Sequence, residues 1–266
     1  MLIGQSAYCA PSSAKTPISN RQYSNAEASA VLARLKPDFC WQTVGMSVEV
    51  ETRDCASLTD IEIEELAAMG GYFQLDAITK AKEDWVLFTS AKISGKVHGF
   101  TFSTLERIGG TPCVLLGMMS VKRTPKRDAV LKGLMTEAYH RALMAFPDED
   151  VVVGSRFLSA DGLESFKALT ELIPRPGHRA VGEERAWGKR LARRFGVEST
   201  YDEQSFIVKS NGHSGFLDHE STKPEKVNPD VAAQFKGVTK AKGGALIVHG
   251  WTMAESLAKL GKLEKH

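Results

Sequence analysis

The stretch WVLFTSAKISGKVHGFTFSTLERIGGTPCVLLGMMSVKRTPKRDAVLKGLMTEAYHRALM, Trp85 to Met144, decides how this chain is read. Val86–Ile93, Lys96–Ile108 and Pro112–Lys122 are β-rich runs separated by Ser94-Gly95 and Gly109-Gly110. Glycine-containing breaks this short between such runs predict an antiparallel meander. A helix is predicted over Lys132–Phe146, with Leu134, Met135, Ala138 and Ala142 among its apolar positions. Between the third strand and that helix lies a basic turn, Val121-Lys122-Arg123-Thr124-Pro125-Lys126-Arg127-Asp128-Ala129. A helix start offers unpaired N–H groups and the positive end of its dipole, so basic side chains added there make a place to hold phosphate.

Outward from this stretch, Thr59–Met69 reads as a helix, with Thr59-Asp60 as its cap and Gly70-Gly71 beyond its end. Val44–Glu51 alternates weakly, as a strand does, and Ala28, Val31, Leu32 and Leu35 mark a short helix ended by Pro37. Downstream, Asp150–Phe157 has the near-continuous apolar centre of a strand buried on both faces. A helix from Ser159 or Asp161 to Leu172 is predicted next, then a basic helix Glu183–Phe195 and strands Ser205–Lys209 and Ala245–Trp251, with Met253–Leu260 as a closing helix. The order predicts a mixed α/β (α+β) fold, with a central, mostly antiparallel twisted sheet and helices on both faces. Residues 1–24 read as a flexible arm, 25–210 as the main domain, and 211–266 as a loop plus a C-terminal strand-helix extension.

Composition narrows the class. The 266 residues are 42% hydrophobic and 25% charged, which suits a globular chain with a core of ordinary size. A net charge of +2 is too small to argue for nucleic acid by itself. Cys9, Cys40, Cys55 and Cys113 form no C-x-x-C pair, and His213, Asp218 and His219 fit no ligand spacing, so no metal site is expected. Scattered thiols, no apolar leader and no apolar run of membrane length together predict a cytoplasmic protein without a membrane partner.

The segment from about residue 60 to 210 resembles the GCN5-related N-acetyltransferase (GNAT) fold. In that family the fourth strand ends in Val-x-Pro, two residues, then Arg/Gln-x-x-Gly-x-Gly/Ala, and this loop cradles the pyrophosphate of acetyl-CoA. Here Val121 opens the pattern and Arg123 takes the proline position. Lys126 stands for the leading Arg/Gln, Ala129 for the first glycine and Leu131 for the second, with Arg127 where the family often has glycine. The resemblance implies acetyl-CoA or another acyl-CoA as co-substrate and an amine as acceptor, joined by direct attack on the thioester. Lys122, Arg123, Lys126 and Arg127 would face the phosphates, with the N–H groups of Asp128 and Ala129 as donors. A fourth-strand amide from Met119 to Val121 would polarise the thioester carbonyl.

Proton transfer in such a reaction needs a base near the amine. Glu106, His98 and His140 are the candidate bases, and Tyr201 is the candidate acid, from its region of the family pattern. Each has a plainer role available: Glu106 pairing with Arg107 or water, His98 half-buried in its strand, His140 among surface positions, Tyr201 a loop aromatic covering the core. Two further functions remain open at this stage. One is a non-catalytic binding protein of the same fold, holding nucleic acid or an acidic protein through Arg185, Lys189, Arg190, Arg193 and Arg194. The balancing Glu183 and Glu184 favour a solvated face over nucleic acid. The other is an acyl-carrier-protein-dependent acyltransferase, like acyl-homoserine-lactone synthases. A homodimer is compatible with all three.

Overall fold

Two turns set the geometry of the sheet. Ser94-Gly95 and Gly109-Gly110 all have positive φ, between 51° and 91°. Two-residue loops of that kind match the right-handed twist of the strands they join. They connect β2 (Leu87–Ile93), β3 (Lys96–Ile108) and β4 (Thr111–Val121) in antiparallel register, as the sequence predicts. The computed structural model describes residues 47–69, 73–209, 228–239 and 243–262, all within the unit Met46–His266. The arm 1–24, the helix ended by Pro37 and the loop holding His213, Asp218 and His219 lie outside the described residues.

Upstream of the meander, β1 (Glu49–Asp54) pairs antiparallel with β2. It starts later than the predicted Val44–Glu51 strand, part of which lies outside the described residues. Helix α1 (Asp60–Ala68) begins at a capping box in which Thr59 Oγ1 accepts from the Glu62 N–H and the Glu62 carboxylate accepts from the Thr59 N–H. The same carboxylate is bonded to Arg53. The Thr59 amide and then Arg53 hold the Glu62 carboxyl at about 2, below its usual 4.5. A depressed carboxylate stabilises the fold above its ordinary pKa and loses that contribution on protonation. The Tm difference between the native protein and Glu62→Gln should therefore shrink as pH falls from 4.5 towards about 2. A difference that stays constant over that window would show that the Glu62 charge contributes nothing. Helix α2 (Leu75–Asp84), unassigned from sequence, follows and buries Ala77, Ile78 and Ala81.

After β4, helix α3 (Arg127–Ala145) starts five residues earlier than predicted. Val130, expected in the turn, and Leu131, read as an apolar position of the helix, both face the core near its start. Because α3 crosses one face of the sheet, β5 (Val151–Phe157) can lie parallel to β4, and each of its residues is buried. The predicted helix over 159–172 is instead a 3₁₀ segment, Ala160–Phe166, followed by β6 (Thr170–Ile173). Gly162 in its middle leaves space that the Phe157 ring fills, since a Cβ there would lie 2.7 Å from the ring. Helix α4 (Gly182–Arg194), β7 (Ile207–Val208), the short α5 (Pro229–Ala233), β8 (Ala245–Thr252) and α6 (Ala254–Leu260) complete the described chain.

The eight strands run β1-β2-β3-β4-β5-β8-β6, with β7 also on β8. Every pairing is antiparallel except β4 with β5. The segment 211–266, read from sequence as an extension, thus supplies β8, an interior strand between β5 and β6. One face of the sheet packs Phe88, Phe100, Phe102, Leu115 and Met118 against α1, α2 and α4. The other packs Leu116, Met119, Val153 and Phe157 against α3 and α6. The architecture is the mixed α/β, mostly antiparallel sheet with helices on both faces that the sequence predicts. Among the described residues no helix is long and apolar enough to cross a membrane.

Candidate functional site

β4 and β5 do not stay together. They pair over four residues, Cys113–Leu116 with Val152–Ser155. Beyond Leu116, β4 continues to Val121 and β5 to Phe157 without pairing to one another. The cause lies in Gly117. Phe102 pairs with Met118 while Ser103 pairs with Leu116, so Gly117 is an extra residue in β4. A bulge of this kind bends its strand and ends pairing on the far edge. At the last rung, Ser155 Oγ donates to the Leu116 carbonyl at 2.6 Å and occupies an acceptor that a continued ladder would need.

The gap opens to different chemistry on the two faces. On the α2 and α4 face the Trp85 indole lies on Gly117, and a Cβ at that position would be 1.8 Å from the ring. Beside it is a hollow of about 230 Å³ bounded by Lys80, Asp84, Trp85, Arg156, Arg194 and Phe195. Arg156 is the first β5 residue past the pairing, is 5% exposed and stacks 5.0 Å over Phe195. Burial pulls its guanidinium down to about 10, against the opposing pull of Asp84. Arg194 stacks 5.8 Å from Trp85 and donates from Nε to Glu106 at 2.6 Å. Neither Trp85 nor Arg156 is singled out from sequence. The available signal was an arginine inside the otherwise apolar run Val151–Phe157.

On the α3 face the gap leads to the basic turn. Lys122, Arg123 and Lys126 are exposed and Arg127 is half-buried. The Lys122 N–H donates to the His98 carbonyl at 2.8 Å, which fixes the turn to β3. Arg127, Asp128 and Ala129 form the first turn of α3, and the cap residue Lys126 offers no side-chain oxygen to their amides. Two polar atoms of this turn, Thr124 Oγ1 and Arg127 Nε, are buried without a hydrogen bond. Arg127 Nε lies 3.4 Å from the exposed Asp128 carboxylate. Alongside α3 runs a hollow of about 580 Å³ that begins at Asp128 and Ala129 and is floored by Leu131, Met135 and Tyr139. Lys132, Lys167 and Lys259 stand around it. Tyr139 is 2% exposed, its hydroxyl has no hydrogen-bond partner, and burial keeps the phenol protonated by raising its pKa.

The predicted proton-transfer residues are not brought together. His98 and Glu106 share β3 eight residues apart, which is roughly 27 Å along an extended strand. Glu106 does not pair with Arg107: Arg107 is bonded in a fork to Glu149, and the half-buried Glu106 to Arg194. Opposite Cys113, Glu106 sits at the paired end of β4, away from the gap. His98 is an extra residue between Val97 and Gly99 at a bulge facing β2, at the level where β4 ends. Its Nδ1 is buried without a partner, and burial, then Lys122 and Lys96, push its pKa down. Tyr201 bridges to Val208 two strands from β5, with its hydroxyl 2.2 Å from where a Gly188 Cβ would be. That hydroxyl is buried beneath α4, and burial raises its pKa. His140 is half-buried on α3, with Nδ1 3.0 Å from the Gly261 carbonyl.

Met119 and Val121 are both buried on the α3 side of β4, so the strand backbone, not its side chains, faces the gap beyond the bulge. The basic helix α4 is largely neutralised. Lys189 meets Glu203, Arg193 meets Glu198, Arg194 meets Glu106, and Arg190 stacks on Trp187. Among the described residues no group of three or more His, Cys, Asp or Glu is arranged to hold a metal ion.

No protein-family profile and no curated protein sequence matches the chain. Solved structures resemble part of it. An aminoglycoside acetyltransferase from an uncultured soil metagenomic sample, in complex with sisomicin, is 16% identical over 40% of this chain and 76% of its own, with a TM-score of 0.31. A GNAT-family acetyltransferase from Streptococcus pneumoniae is 10% identical over 47% of this chain and 87% of its own, with a TM-score of 0.32. One from Brucella melitensis, in complex with acetyl-CoA, is 19% identical over 40% of this chain and 75% of its own, with a TM-score of 0.27. The three-strand meander, the parting of β4 from β5 at the Gly117 bulge and the basic turn that opens α3 belong to one mixed α/β, mostly antiparallel sheet with helices on both faces.

Proposed function

We propose that this protein is an acyltransferase that moves an acetyl or other acyl group from a CoA-type thioester to an amine. The observation that carries this reading is the unpaired gap between β4 and β5, opening directly onto a basic helix start. In the proposed complex the thioester lies in the gap and the pyrophosphate sits on the turn from Lys122 to Ala129. The phosphates accept from the Asp128 and Ala129 N–H groups and meet Lys122, Arg123, Lys126 and Arg127. The rest of the donor follows the hollow along α3, over Leu131, Met135 and Tyr139.

The amine nitrogen attacks the thioester carbon, and an amide of the Met119–Val121 segment bonds the developing oxyanion, an interaction that contributes several kcal/mol in such reactions. Collapse of the intermediate breaks the C–S bond, and the thiolate takes up a proton. Of the four side chains proposed for proton transfer, His98 lies at the level where β4 ends, and burial and the neighbouring lysines hold its pKa down, so the ring is neutral at pH 7. It is the proposed acceptor of the amine proton, through water. Glu106 acts through Arg194 on the position of Trp85, and Tyr201 reaches the thiolate only if α4 moves.

Calorimetry with acetyl-CoA and longer acyl-CoAs tests the reading, and no binding at millimolar concentration would overturn it. Arg127→Ala should weaken acyl-CoA binding by about tenfold, the cost of one charge-assisted hydrogen bond. Unchanged affinity would show that the turn holds no phosphate. Transfer from a carrier-protein thioester but not from CoA would reassign the donor to an acyl carrier protein.

A further inference from the structure

Helix α4 has a cavity at each end. The one at its C-terminus belongs to the β4–β5 gap. The other, at its N-terminus, is a hollow of about 600 Å³. Its lining includes four carboxylates, Asp150, Glu171, Glu183 and Glu184, and no lysine or arginine among the described residues. Two indoles also line it. Trp187 and Trp251 meet edge to face, with centroids 5.8 Å apart.

The third element is His249. It stands on β8 opposite Gly154, is 1% exposed and lines the same hollow. Its Nδ1 has no hydrogen-bond partner. Burial lowers its pKa to about 4, against a smaller opposing effect of Glu184, so the ring is neutral at pH 7. A neutral imidazole with one open nitrogen can accept one N–H. Two of the carboxylates are already tied to backbone: Glu184 accepts from the Val181 N–H and from His178 Nε2, and Asp150 accepts from the Ala254 N–H. Glu171 and Glu183 are exposed at the rim. Arg190 already stacks 4.9 Å over Trp187, so the aromatic contribution to a bound cation falls to Trp251.

We propose that the hollow at the N-terminus of α4 binds a small aliphatic ligand bearing primary ammonium groups, such as a diamine. Carboxylates set the sign of the charge, and aromatic faces attract cations. In the tautomer that leaves Nδ1 as acceptor, His249 takes an N–H, which a quaternary ammonium lacks. The volume exceeds the needs of a lone ammonium and suits a ligand with a carbon chain. A metal ion does not fit, since no three ligating groups converge among the described residues. The site lies about 18 Å from the gap end of α4, the length of a helix of this size, and does not depend on the acyl-transfer reading.

The test needs no acyl donor. The full chain is titrated with putrescine, with tetramethylammonium and with sodium chloride at matched ionic strength, by calorimetry and tryptophan fluorescence. Putrescine should bind saturably and change the emission, and the two controls should not. The double variant E171Q/E183Q alters only exposed rim residues. It should keep the native Tm and bind putrescine roughly fivefold more weakly, as expected for exposed charges. Absence of saturable putrescine binding, or unchanged affinity in the double variant, would overturn the site. Tetramethylammonium binding as tightly as putrescine would overturn the role of His249 as acceptor.

Discussion

Gly117→Ala should lower the Tm and change the emission of Trp85. The bulge has no room for a methyl group, because the indole of Trp85 lies where the Cβ would be, 1.8 Å from Cε2. The contact is with a ring that is 8% exposed and wedged against Phe195 at 6.4 Å and Arg194 at 5.8 Å, so it cannot swing aside freely. Overpacking of this kind costs about 1–3 kcal/mol and more where neighbours are fixed. In a chain of this size each kcal/mol corresponds to roughly 2–4 °C. A fall of about 5–10 °C is therefore expected, with a red shift in fluorescence as the indole is pushed towards water. Calorimetry and emission spectra on the purified variant decide it. The physical consequence reaches the gap: if Trp85 moves, the α2 side of the gap changes shape, and acyl-CoA binding should weaken even though the basic turn is untouched. A variant with native Tm and native emission would mean that Trp85 does not pack on Gly117.

Local signals account for what could be read in advance. The two glycine-containing turns marked the meander to within a residue because a type I′ turn needs positive φ at both positions, and few sequences supply it. The apolar run Val151–Phe157 announced a strand buried on both faces because no other element tolerates such a run so briefly. The α1 cap was legible from Thr59-Asp60 at the head of an acidic turn, whereas the reach of Glu62 back to the Thr59 amide was not read. Non-local facts were not legible. Nothing in Ala245–Thr252 says that it inserts between β5 and β6, since its partners are about ninety residues upstream and are chosen by the sheet edge left open. Gly117 looked like any glycine in a strand; that it is a bulge depends on the register of β3 opposite. The helix predicted over 159–172 failed because Thr170–Ile173 gains more as an edge strand on β8 than as a last helical turn. The helix at Leu75–Asp84 was available from the spacing of Ala77, Ile78 and Ala81. So was the mutual exclusion of His98 and Glu106: two residues eight apart in one strand cannot serve one reacting atom.

Arg156→Met should raise stability and lower acyl transfer together. Arg156 is buried in a strand whose other side chains are apolar or small, and burial pulls its pKa to about 10. A base whose folded pKa is depressed opposes folding while it is charged, throughout the range below about 10. Methionine fills similar volume and can keep the contact with the Phe195 ring. Replacing a buried ion pair as a whole with apolar groups is often stabilising, by about 1–4 kcal/mol, and here the opposing Asp84 is exposed and stays solvated when the Arg156 charge is removed. A rise in Tm of several degrees is the expected result. Arg156→Ala separates charge from volume, since it removes the charge and also opens a cavity, and its Tm should fall below that of the Met variant. A cation kept at such a position, at the first step past the last β4–β5 rung and facing a hollow with Lys80 and Arg194, fits a group that meets an anionic part of a substrate. In the proposed reaction its loss removes a charge-assisted contact in a low-dielectric site, and a fall of about tenfold to a hundredfold in kcat/KM is expected. The two readouts move in opposite directions, which a purely structural arginine would not produce. If Arg156→Met destabilises the protein and leaves transfer unchanged, the guanidinium is a packing element that secures α4 through Phe195, and the anion-binding role for this side of the gap falls.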